Sequence, residues 1–200
     1  MSRPQRVSVA VEAFLRQMAA DGGAPVSIKS YRVQLWQVTQ ALSDPPLNRV
    51  TTDRLNRYLT SAAVQSKADG APRLASTINR TKSVIRAFFA WCERSRRIAR
   101  SPAAHVRLAA TCAGITRHMT RRELERFLVT IRRSRHPLAP RDHAVFATLA
   151  YTGVRLSDAV HLQVSDLDRP GGRLILRRAK GGRREEIGRA SCRERVYVLV

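Results

Sequence analysis

The chain has 200 residues, of which 37 are Lys or Arg and 15 Asp or Glu, for a formal net charge of +22. An excess that large repels itself in a compact state and is best explained by a polyanionic partner, nucleic acid being the usual one. No apolar run approaches the ~20 residues of a spanning helix, and MSRPQRVSVAVEAF lacks a signal-peptide core, so the expectation is a cytoplasmic protein that does not enter a membrane.

The first half reads as four helices. Ser8 can cap VAVEAFLRQMA, where Val11, Phe14, Leu15 and Met18 share one face. After DGGAP, Ser27 can cap IKSYRVQLWQVTQAL, with Tyr31, Leu35, Val38 and Leu42 inward, and SDPP ends it. Thr51 or Thr52 opens DRLNRYLTSAA, with Leu55, Tyr58 and Leu59 inward. A polar loop leads to Ser76 and TINRTKSVIRAFFAWCERS. At ~100° per residue, Ile78, Ile85, Phe88, Phe89 and Cys92 form one stripe, with Asn79, Arg80, Ser83 and Arg86 broadly opposite. That polar face suits a phosphate backbone, or else is a solvated outer surface.

The basic stretch from Arg94 to His118 reads as a linker. A second unit opens at TRRELERFLVTI, where Thr120 and Glu123 have capping-box spacing and Leu124, Phe127, Leu128 and Ile131 form the expected buried stripe. HPLAPRD turns the chain into the apolar helix HAVFATLAYTG, which Gly153 is placed to end in a left-handed conformation. Ser157 can cap DAVHLQV, and RPGGRLILRRAKGGRREE reads as a β-hairpin turning at KGG. Arg155 stands at the seam between two apolar stretches, where a charge is costly unless paired or used. Asp158 and Asp166 are its candidate ion-pair partners.

Aromatics are 6% of the chain, so an aliphatic core is expected. Arginine far outnumbers lysine, which fits either bidentate phosphate binding or the codon bias of a GC-rich genome. Three cysteines without C-x-x-C spacing and five histidines without H-x₃₋₅-H argue against a zinc site or a disulfide framework, so no metal is expected.

Over residues 7–186 the chain resembles the tyrosine recombinase (phage integrase) family. SIKSYRVQLWQV, VTTDRLNRYL and TINRTKSVIRAFFAWC look like its helical core-binding domain. MTRRELERFL, TGVRLSDAVHLQVSDLD and LRRAKGGRREE look like the opening of its catalytic domain. The resemblance implies a mainly α fold: a four-helix, SAM-like core-binding domain over residues 1–107, a linker at 108–118, and the start of an α+β catalytic domain at 119–186. It implies attack of a tyrosine hydroxyl on DNA, through a 3′-phosphotyrosyl intermediate, without cofactor or metal. Arg155 then becomes a catalytic arginine for the scissile phosphate. Lys180 becomes the general acid for the leaving oxygen, or else a turn lysine touching phosphate, and Asp158 supports the arginine. Asn79, Arg80, Ser83 and Arg86 are candidate contacts to double-stranded DNA. The complete enzyme is expected to act as a homotetramer on DNA.

Tyr151, which falls where the family has a core residue, is not read as the nucleophile. The family's tyrosine follows a later His-x-x-Arg element, which neither His161 nor His143 supplies. Residues 187–200 depart from the family, and IGRASCRERV reads as the translation of a sequencing-library adapter. The expectation is a C-terminally truncated recombinase that binds DNA without cleaving it. The alternative is a non-enzymatic helical DNA-binding protein. An RNA-binding protein fits the charge but lacks an aromatic stacking platform.

Overall fold

The computed structural model describes residues 5–111, 118–179 and 183–188. The chain divides into two compact units, Met1–Ala113 and Gly114–Val200.

The first unit contains α1 (Val7–Ala20), α2 (Pro25–Ala41), α3 (Thr52–Leu59), α4 (Ala62–Gln65) and α5 (Ala75–Arg94). Most of the expected inward residues are inward: Val11, Phe14, Leu15, Leu35, Val38, Leu42, Leu55, Tyr58, Leu59, Ile85, Phe88, Phe89 and Cys92 are buried in one core, while Met18, Tyr31 and Ile78 are only partly buried against it. The helix starts differ from the expected ones. Ser8 lies inside α1 rather than capping it, and both its backbone N–H and its hydroxyl donate to the Asp44 carboxylate at 2.8 Å. Asp44 reaches that N-terminus because Ser43 and Asp44 take left-handed φ values of 60° and 44°, and a carboxylate there also meets the positive end of the helix dipole. Pro25, not Ser27, opens α2, where a missing N–H costs nothing. Ser76 likewise lies within α5, whose N-cap is Leu74.

Thr51 caps α3, accepting from the Arg54 N–H at 3.3 Å. The single helix expected over 53–63 breaks at Thr60 and Ser61. Their hydroxyls donate to the Asn56 and Tyr58 carbonyls, competing with helix continuation. The core is also less aliphatic than expected. Phe14 packs on Phe88 and Trp91 at 5.7 and 5.4 Å between ring centroids, and Phe88 on Phe89 at 4.9 Å. The few aromatics are concentrated here, which a chain-wide percentage averages away. Cys92 is buried among them, and burial pushes its thiol up to about 12, so it stays protonated and inert.

The second unit contains α6 (Arg121–Arg133), α7 (Ala139–Thr152), α8 (Leu156–Ala159), β1 (Leu167–Asp168), β2 (Arg173–Ala179) and β3 (Arg183–Ile187). The capping box at Thr120 and Glu123 forms with both its bonds. Of the expected α6 stripe only Leu128 is buried; Phe127 is exposed and meets Phe146 edge-on at 5.2 Å. The turn before α7 is shorter than expected, because Ala139 and Pro140 already form its first turn. The hairpin forms as expected, Leu174 opposite Ile187 and Leu176 opposite Glu185, and β1 adds a third antiparallel strand. A small core joins Val154, Ala159, Leu176 and Ile187. Ile187, the first residue of the expected tail, is thus only 1% exposed; residues 189–200 lie outside the described residues. No helix among the described residues is long and apolar enough to cross a membrane.

Candidate phosphate-binding arginine and basic groove

Gly153 ends α7 at φ 66°, a left-handed turn that a Cβ would strain. Val154 turns into the small core, and Arg155 follows in extended backbone as the N-cap residue of α8. Arg155, not Ser157, therefore precedes the first turn, and its carbonyl accepts the Asp158 and Ala159 N–H groups at 2.9 and 3.0 Å.

The Arg155 side chain is 57% exposed and its ion pair to Asp158 Oδ2 spans 3.8 Å, while the Asp158 side chain is only 11% exposed. An ion pair that long and that wet is worth little. It leaves most of the guanidinium's fork of donors open to an incoming anion. The other candidate partner, Asp166, is taken elsewhere. It accepts the Gln163 N–H at 2.8 Å and the Arg177 Nε–H, while Arg177 Nη2 donates to Ser165 Oγ at 2.9 Å. The Gln163 N–H, with the Arg177 guanidinium second, holds the Asp166 carboxyl below the ordinary carboxylate range. A cavity of about 590 Å³ opens beside this network, lined among others by Asp158, His161, Gln163 and Arg177. His161 Nδ1 sits 2.6 Å from the Ser157 carbonyl, which makes it the donor and protonates that nitrogen.

Lys180 lies outside the described residues, between strands that pair Ala179 with Arg183. Tyr151 is exposed in the last turn of α7. The spacing His-x-x-Arg does occur once, at His118 and Arg121. It precedes Arg155 instead of following it, and Arg121 pairs with Glu125 at 3.1 Å as a surface i,i+4 bridge. No group of three or more potential metal ligands is found among the described residues.

In the first unit the four α5 candidates divide. Ser83 and Arg86 are exposed. Arg80 leans toward α2, donating to Ser30 Oγ at 2.6 Å. Asn79 is engaged with backbone: its Nδ2 donates to the Ala109 carbonyl and its Oδ1 accepts the Ala109 N–H, each at 2.8 Å. Between α2 and α5 runs a groove of about 440 Å³ lined by Lys29, Val33, Gln37, Arg73, Thr77 and Arg80 among others. Its cations come from α2, the loop before α5 and α5 itself. Periodicity within one helix therefore pointed to Arg80 and missed Lys29 and Arg73. Gln34, also at this groove, has a buried Oε1 without a partner among the described residues.

Residues 11–96 match the family model of the phage integrase N-terminal SAM-like domain. A tyrosine recombinase XerC of Roseiflexus castenholzii is 29% identical over 162 residues, covering 79% of this chain and 50% of that protein. One from Escherichia coli O157:H7 is 27% identical over 183 residues, 90% of this chain and 59% of the relative. The chain spans roughly half the length of the curated relatives it matches. Among solved structures, a lambda integrase dimer bound to a COC′ core site superposes with a TM-score of 0.70 at 18% identity, over 92% of this chain and 49% of that one. The Tn1549 transposon integrase with circular intermediate DNA gives 0.61 at 19% identity, over 96% and 65%. At those identities the structures establish a shared fold.

Proposed function

From the premise that this chain belongs to the tyrosine recombinase family, we propose that it is the DNA-binding core and the opening of the catalytic unit of a site-specific recombinase. Double-stranded DNA is its partner, and Arg155 is the arginine that meets the scissile phosphate. The observation that carries this reading is Arg155 itself: a half-exposed guanidinium just after a left-handed glycine turn, 3.8 Å from a nearly buried Asp158. In a metal-free reaction side chains must hold the charge that develops on the phosphoryl oxygens, and a permanent, forked cation suits that task. Lys180 is assigned as the acid for the 5′-oxygen, from its place in the sequence LRRAKGGRREE. The groove of Lys29, Arg73 and Arg80 supplies backbone contacts from the first unit.

The residues given after Arg155 include no His-x-x-Arg, and Tyr197 is the only later tyrosine. The chain as given therefore binds DNA and leaves it uncut, and a nicked duplex that traps covalent intermediates yields no protein–DNA adduct. Appearance of that adduct would overturn this part. Homotetramer assembly is assigned to the complete enzyme.

The test is a salt titration of duplex binding. With several phosphate contacts the affinity falls steeply with salt, and losing one phosphate contact lowers the log–log slope by about 1. Arg155→Ala is expected to show that drop. An unchanged slope removes Arg155 from the DNA and favours a helical DNA-binding protein of another kind.

A further inference from the structure

Asn79 lies on the polar face of α5, where an asparagine would be expected to read DNA, yet both polar atoms of its carboxamide are engaged elsewhere. Its two bonds to Ala109, both 2.8 Å, form a closed amide pair like one rung of a β-ladder. The amide orientation is fixed by the partner, because a backbone N–H can only donate and a carbonyl only accept. One helical turn along, Lys82 Nζ donates to the Arg107 carbonyl at 3.0 Å. Upstream, Thr52 Oγ1 donates to the Pro102 carbonyl at 3.0 Å, and Ala103 and Val106 are buried in the core of the first unit. Much of the basic segment read as a linker is therefore fastened to the first unit, and among the described residues the last of these ties is at Ala109.

We infer that Asn79 is a positioning residue that latches the interdomain segment to α5, and that it does not contact DNA. Asn79 and Lys82 together set the point at which the chain leaves the first unit. Releasing them moves that point back to Val106 and frees residues 107–109. Three residues add roughly 10 Å of reach at ~3.5 Å each. Effective concentration falls only as about the −3/2 power of tether length, so the change in DNA affinity is less than about threefold. A bidentate asparagine–adenine contact, by contrast, is worth roughly fivefold to over a hundredfold. The two roles are thus separable by magnitude as well as by place. The consequence for DNA binding rests on the proposed function; the latch itself does not.

The experiment compares the full chain with Asn79→Ala and Asn79→Asp. Amide hydrogen exchange is read at Ala109 and, as a folding control, at Ile85 and Phe88. The latch predicts at least tenfold faster exchange at Ala109 in Asn79→Ala with the control amides unchanged. Asn79→Asp, which keeps an acceptor for that N–H, is expected to exchange more slowly than Asn79→Ala. Duplex affinity falls by less than about threefold in both. Equal Ala109 exchange in all three proteins would overturn the latch. A loss of affinity of roughly fivefold or more with exchange unaltered would return Asn79 to the DNA. If the unaltered chain binds no duplex, the functional reading fails, and the exchange result alone decides the latch.

Discussion

Asp166 shows how one side chain can organise the neighbourhood of Arg155 without facing an anion. Its carboxylate is buried, caps the turn at Gln163 and receives Arg177 from β2, tying the segment after α8 to the sheet. Its carboxyl sits below the ordinary range, chiefly through the Gln163 N–H. Glu123 is lowered in the same direction by the Thr120 N–H and hydroxyl. A carboxyl depressed in the folded state adds stability above its unfolded pKa, and that contribution disappears as pH falls through the folded value. Both ties are therefore intact at neutral pH and weaken below about pH 4. In an acid titration followed by amide exchange in β2, the native chain should open below that point. Asp166→Asn should begin less protected and lose much of that acid step. Matching acid profiles for the two proteins would mean that Asp166 is not the group responsible.

The elements differ in how firmly they are held, and equal substitutions should report it. Phe88 is buried between Phe14 and Phe89 at 5.7 and 4.9 Å, so Phe88→Ala is expected to cost about 3–5 kcal/mol. That is a large share of the total stability of a small domain. Phe127 lies on an exposed face of α6 against Phe146, and Phe127→Ala should cost well under half as much. Denaturant titration of the two variants measures the contrast; similar losses would show that α6 is buried in solution. Gly153→Ala tests the turn that presents Arg155. At φ 66° an alanine costs about 1–2 kcal/mol. The expected result is a lower melting temperature for the second unit, and an unchanged one would mean that the turn relaxes freely.

At the scale of the whole molecule, the described residues of both units include exposed apolar side chains, Val26 and Leu74 in the first and a larger set in the second. Phe146, Tyr151, Leu156 and Val160 are exposed, and Val164 is 86% exposed. Exposed apolar side chains of this number can bind other apolar surfaces. The chain should enhance the fluorescence of a hydrophobic dye at neutral pH, and Val160→Ser with Val164→Ser should reduce that signal. No enhancement would mean that this face is covered in solution. How much was legible beforehand follows from the range of the forces involved. Most helices, most of the inward stripes of the first unit, the Thr120 capping box, the Gly153 turn and the paired strands of the hairpin were readable; the helix expected over DAVHLQV was not, because α8 stops at Ala159. Each readable feature depends on side-chain spacing or backbone preference within a few residues. The sequence also placed Arg155 at the seam between two helices. The tertiary structure alone decided which aspartate pairs with it, since Asp158 and Asp166 were equal candidates until β2 brought Arg177 to Asp166. It alone brought Asp44 to the start of α1, set Lys29, Arg73 and Arg80 around one groove, and turned Asn79 from a polar-face residue into a clasp on Ala109. The Asp44–Ser8 and Asn79–Ala109 contacts and the meeting of Lys29 with Arg73 join residues tens of positions apart, and local periodicity carries no information about which distant partner will arrive.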